Sequence, residues 1–176
     1  MSVALGTGDY WRLRRHIPLT FVSMALIVDL VALPGLAPSP MMPHLTLAAI
    51  FFWSLLRPDL INNLVIFLIG MVHDLIAGLP LGMTSLTMLL AIKALAASDR
   101  EFIAGSFVAM WGCFILVAVL LFTLRWLLAS LWWAYFFSFE AAMIEAAMTI
   151  AIFPFVCWLG FRLEPLIPRA WHASGE

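Results

Sequence analysis

Four ionisable side chains stand in stretches that otherwise tolerate almost no charge: Asp29, Asp74, Lys93 and Glu145. An ion in hydrocarbon costs on the order of 2.5–3.5 kcal/mol on insertion scales, and such groups usually face the interior of a helix bundle. Two kinds of chemistry fit. Asp29, Asp74 and Glu145, with Arg125 nearby, could line a polar pocket or hold a proton or small cation. Alternatively they bond across helix seams and fix topology with no ligand at all. The richest context is "IGMVHDLIAGLPLG" (69–82), which sets Gly70, Asp74 and Gly78 four residues apart on one helix stripe. Pro80 and Gly82 then turn the chain back. Ala141, Glu145 and Thr149 repeat the spacing, and Ala25 precedes Asp29 by four. Small residues let backbones approach closely in lipid, so these acids should face other helices. His73 adjoins Asp74, but helical neighbours point about 100° apart, and the pair reads as coincidental. Lys93, near one end of its apolar run, reads as a snorkelling side chain rather than a relay.

Other chemistries lack their parts. A nucleophile needs a base within reach, and the serine of "AGSF" (104–107) has no histidine at matching depth. There is no H-E-x-x-H and no glycine-rich phosphate loop. His16, His44, His73 and His172 are scattered. Cys113 and Cys157 sit in apolar runs and read as buried thiols, not as a disulfide or metal site. The expectation is a protein that is not an enzyme and carries no cofactor or metal.

The elements that must position the acids follow from composition. The 176 residues are 65% hydrophobic and 11% charged, with mean hydropathy +1.08, where soluble domains are about a quarter charged. The class is an all-α, multi-pass membrane protein. Apolar runs broken by Pro, Gly and charge predict six transmembrane helices: Ile17–Leu36, Met42–Leu56, Leu60–Ala77, Met83–Ala97, Phe102–Leu127 and Phe139–Phe161. The first is read as an anchor rather than a signal peptide. The second is short enough to be re-entrant instead. Six crossings place Arg12, Arg14, Arg15, Arg57, Arg100, Arg162 and Arg169 on one side and only Arg125 on the other, which makes that side and both termini cytoplasmic. The layout is a cytoplasmic tail (1–16), a six-helix domain (17–161) and a second cytoplasmic tail (162–176). Arg57, Pro58 and Asp59 form one inner turn, and Ser98 or Asp99 should cap the fifth helix. "WLLASLWWAYFFSF" (126–139) reads as an outer aromatic link or simply as more helix. The three acids then all fall in the outer half of the bundle.

The order "PHLTLAAIFFWSLLRPDL" then "IGMVHDLIAGLPLGMTSL" resembles the rod shape-determining MreD family: a Pro-led second span with an aromatic residue, an Arg-Pro turn, then Gly, Asp, Gly and a Pro-Leu-Gly link. The matching positions are Pro43, Trp53, Arg57, Pro58, Gly70, Asp74, Gly78, Pro80, Leu81 and Gly82. His73 departs from the pattern, where an apolar or small residue is expected. The resemblance implies a non-catalytic scaffold of the bacterial wall-elongation machinery in the cytoplasmic (inner) membrane. Its implied partners are a bitopic MreC-like protein, MreB-like actin filaments and wall-synthesis transpeptidases and glycosyltransferases. Within it, Asp29, Gly70, Asp74, Gly78 and Glu145 are the candidate intramembrane polar or packing site. Arg57, Pro58, Asp59, Pro80 and Gly82 are candidate partner or turn contacts. The family is also similar in fold to the substrate-binding subunits of energy-coupling-factor vitamin transporters. That similarity makes a small-molecule binding subunit, with Asp29, Asp74 and Glu145 in an outer cavity, the second reading.

Overall fold

The computed structural model describes residues 16–32, 43–58, 60–77, 80–96, 99–135 and 138–167. Among these the chain is all helical: α1 (Ile17–Ala32), α2 (Leu45–Leu56), α3 (Asn63–Ala77), α4 (Met83–Ala96), α5 (Arg100–Gly105), α6 (Phe107–Trp132) and α7 (Phe139–Leu163), closed by a 3-10 turn over Glu164–Leu166. Helices α6 and α7 are long and apolar enough to cross a membrane; α1 to α4 are shorter apolar helices.

The bundle is built around α2. Every residue from Thr46 to Leu55 is buried, as expected of a helix that is apolar on all sides. It packs against α1, α4 and α7. Phe51 meets Phe114 edge-on at 5.1 Å, and Phe114 stacks on Phe153 at 3.9 Å, so one aromatic block joins α2, α6 and α7. Gly160 lets α7 close on α2, because a Cβ there would run into the Phe52 ring.

Several boundaries differ from the sequence reading, each for a local reason. The second helix begins at Leu45, because the Leu45 and Thr46 amides are taken by Asp29. The third begins at Asn63, not Leu60: Leu60 closes a turn onto the Arg57 carbonyl at 3.1 Å, and Asn62 accepts from the Leu64 amide at 3.2 Å. The fifth expected span is two helices. Asp99 caps α5, but Gly105 and an extended Ser106 break the helix, and Ser106 then caps α6 through the Ala109 amide. That serine serves as a helix cap. The aromatic tract is helical through Trp132, so the α6–α7 link is only 133–138. Cys157 is buried but Cys113 only partly. Leu36, Met42, Asp59, Gly78, Ser98 and both chain ends lie outside the described residues.

Pro154 sits inside α7. A proline has no N–H, so the carbonyl four residues earlier, on Ile150, loses its helical donor. Trp111 of α6 replaces it: its indole Nε1 donates to the Ile150 carbonyl at 3.3 Å. Trp111→Phe keeps an aromatic ring but removes the indole N–H. The bond lies on the exposed face of the bundle, so its loss should destabilise the protein by about 1 kcal/mol, the net worth of one hydrogen bond. Unfolding by SDS titration from mixed micelles measures this. No shift in midpoint would mean that the carbonyl finds water.

Candidate functional site

The suspect acids do converge on one end of the bundle, where Asp29 and Asp74 each meet the start of another helix and Glu145 meets an arginine. Asp29, near the end of α1, accepts from the Leu45 amide through Oδ1 (3.0 Å) and from the Thr46 amide through Oδ2 (2.9 Å). It thereby caps α2 from a neighbouring helix, where orphan amides and the helix dipole both favour a carboxylate. His44 Nδ1 lies 3.2 Å from the same Oδ2. Asp74, near the end of α3, does the same for α4. Its Oδ2 accepts from the Gly82 amide at 2.9 Å, and the Thr84 amide lies 3.1 Å from each oxygen. Both acids are buried, Asp74 completely.

The Gly70–Ser85 contact holds α3 against α4. A Cβ on Gly70 would lie 2.5 Å from Ser85 Cα and 2.6 Å from its amide nitrogen. Ser85 also donates its hydroxyl to the Phe67 carbonyl at 2.8 Å. Pro80 and Gly82 make the turn: the Met83 amide donates to the Pro80 carbonyl at 3.2 Å, and Gly82 adopts φ +94°, a conformation that favours glycine.

Glu145 on α7 pairs with Arg125 on α6 at 3.0 Å, with both side chains about a quarter exposed. One turn on, Thr149 donates to the Glu145 carbonyl at 2.7 Å and accepts from the His44 amide at 2.9 Å. His44 then stacks on His73, with ring centroids 4.5 Å apart. The sequence reading missed this histidine pair. His73 does turn away from Asp74, but to meet the ring of the residue just ahead of α2. Lys93 is exposed on α4, away from the cluster. At the other end, Arg57 donates to the Ile167 carbonyl at 3.4 Å, and Ile167 is buried in the core. Arg57 thus ties the α2–α3 turn to the chain segment after α7, and Pro58 beside it is exposed.

What the cluster can do chemically is narrow. Among the described residues, the cavity at its centre, lined by His44, Thr84, Thr87, Phe122 and Arg125 among others, has a volume of about 20 Å³. That is room for about one water molecule. No group of three His, Cys, Asp or Glu among the described residues is placed to hold a metal ion. The acids are occupied as helix caps and as one ion pair.

Apolar helices, two of them long enough to cross a membrane, joined at their ends by buried carboxyls, are those of a membrane protein. The chain belongs to the rod shape-determining protein MreD family, whose model matches residues 12–161. The family gives it a role in determining rod cell shape. No curated protein and no solved structure matches it.

Proposed function

We propose that this protein is a non-enzymatic, six-span scaffold of the wall-elongation complex in the bacterial cytoplasmic membrane. It docks a bitopic MreC-like protein, MreB-like filaments and the wall synthases through its helix faces and short loops. The observation that carries this reading is the use made of the intramembrane polar groups. Asp29 and Asp74 are consumed in capping α2 and α4, and Glu145 in pairing with Arg125. Such groups make a rigid body; they leave no unpaired acid in the cluster for a substrate.

Six crossings are supported by the ends at which the helices meet. The end of α1 meets the start of α2, the end of α3 the start of α4, and the outer part of α6 that of α7, all around the polar cluster. Arg57 and Ile167 meet at the opposite end. Successive long elements therefore run antiparallel, as the arginine distribution demands. Against a vitamin-binding subunit stands the 20 Å³ cavity between the same side chains, when ligand pockets run to about 300–1,000 Å³.

Affinity purification of the tagged protein from its native membrane in mild detergent, with mass spectrometry of proteins and small molecules, tests the reading. Recovery of a bitopic MreC-like protein with a wall synthase is the expected result. A stoichiometric metabolite with an ATPase module would overturn it. Asp74→Asn adds a second test. An amide has one acceptor oxygen in place of two, so the α4 cap weakens by about 1–2 kcal/mol. The protein's level and stability should fall, with the surviving molecules still bound to partners. A normal level with lost assembly would make Asp74 a contact residue instead.

A further inference from the structure

We propose that this protein thins the lipid bilayer beside α3 and α4, and that the apolar face of these helices is covered by that thinned lipid rather than by protein. The inference rests on the membrane-spanning reading above.

Two sides of the molecule offer lipid very different heights. Helix α6 has 26 residues and α7 has 25, about 37–39 Å at ~1.5 Å per residue. Exposed apolar side chains run along α6 from Val108 to Trp132. These lengths match a hydrocarbon core of about 30 Å with moderate tilt. Helix α3 has 15 residues and α4 has 14, only about 21–22 Å. Polar groups shorten them further. Asn62, Asn63 and Lys93 are exposed at one end, and Asp74 with the α4 start marks the other. The lipid-facing residues between them, Leu64 to Leu75 on α3, span about 17 Å.

The described residues beyond these helices do not make up the difference. Residues 60–62 and 80–82 are not helical, and irregular backbone facing lipid in the hydrocarbon region would leave polar groups unsatisfied. The two sides are also in fixed register. Asp74 bonds Thr84, and Thr84 lines the same cavity as Arg125. From that level α6 continues to Trp132, carrying the exposed Leu127 about 3 Å and the exposed Leu131 and Trp132 about 9–10 Å further out. A flat bilayer that covers Leu131 would submerge the α3–α4 turn. One that stops at the turn would strand those apolar side chains in water. A membrane that dips on the α3–α4 side satisfies both.

Nitroxide labels at Leu75→Cys, Leu131→Cys and Leu116→Cys test this. The background is Cys113→Ala, Cys157 being buried, and the full-length protein is reconstituted in dioleoylphosphatidylcholine vesicles. All three leucines are exposed, so labels there are tolerated. Power-saturation depth is read with oxygen and a water-soluble nickel chelate. Thinning requires the Leu75 and Leu131 labels to report the same shallow depth, although Leu131 stands about 7 Å further along the helices. A Leu75 label deeper than Leu131 by that amount means a flat membrane and overturns the proposal. A Leu75 label reached by neither reagent means that a second copy or another protein covers the face, and also overturns it. Leu116 separates the two readings: a label there outside the bilayer centre means that the spanning reading itself has failed. The unlabelled wild-type protein, in a series of fourteen-, eighteen- and twenty-two-carbon monounsaturated lipids, should lose stability steadily as the chains lengthen. A maximum in the longest lipid would contradict the proposal independently.

Discussion

Replacing Asp29 with alanine should destabilise the protein by about 3 kcal/mol, because one buried and one part-buried amide lose their acceptor at about 1–3 kcal/mol each. Those amides, on Leu45 and Thr46, begin a helix that is buried on every side. Water therefore has little access to replace the carboxyl. The loss also removes the oxygen 3.2 Å from His44 Nδ1, and with it the hold on a ring that packs against His73. Asp29→Asn keeps one acceptor and should lose roughly half as much on the same reasoning. The check is twofold: the midpoint of SDS-driven unfolding from mixed micelles, and hydrogen exchange at the Leu45 and Thr46 amides. Faster exchange confined to those amides is expected in Asp29→Asn. An Asp29→Ala variant as stable as the parent would mean that α2 is not capped from α1.

The second large effect is expected at Gly70. Here the obstruction is backbone rather than a movable side chain, since a Cβ would lie 2.5 Å from Ser85 Cα. Gly70→Ala forces α3 and α4 apart. Gly70→Val does so further and adds a β-branched side chain. Overpacking alone costs about 1–3 kcal/mol. Separation also strains the Ser85–Phe67 hydrogen bond and the Asp74 cap on Thr84, both of which span this seam. The combined loss for Gly70→Val should approach about 4 kcal/mol, a large share of the about 5–15 kcal/mol that native proteins possess. A disulfide-trapping pair across the seam, compared between Gly70 and Gly70→Ala, measures the separation directly. Unchanged trapping rates would show that Ser85 relaxes instead.

How much of this was legible in the sequence depends on the type of partner involved. Spacing placed Gly70 and Asp74 on one inward stripe, and hydropathy placed the helices, because both signals are periodic along a single element. Partners were not legible when the donor was a backbone amide, since every residue but proline carries one. That is why sequence could put Asp29 and Asp74 in a pocket or at a helix seam without naming the amides they accept from. The His44–His73 stack brings together rings on separate elements, and no local pattern marks such a meeting. The break at Ser106 was visible as Gly-Ser but was weighed only as a nucleophile context; the capping habit of serine was the stronger signal. Pro154 announced a missing hydrogen bond, while the indole that replaces it comes from 39 residues away.

The central helix has a consequence for how the protein is made. Helix α2 has no side for lipid, and the amide ahead of it, on His44, waits for the hydroxyl of Thr149, which is translated 105 residues later. At about 5–20 residues per second, that is a delay of roughly 5–20 seconds. Until then α2 has α1 and α4 as neighbours but lacks α7, so part of a helix surface that ends up buried on every side is left without its cover. Ribosome stalling or truncation before that point should send the product to a membrane protease rather than leave a partial bundle.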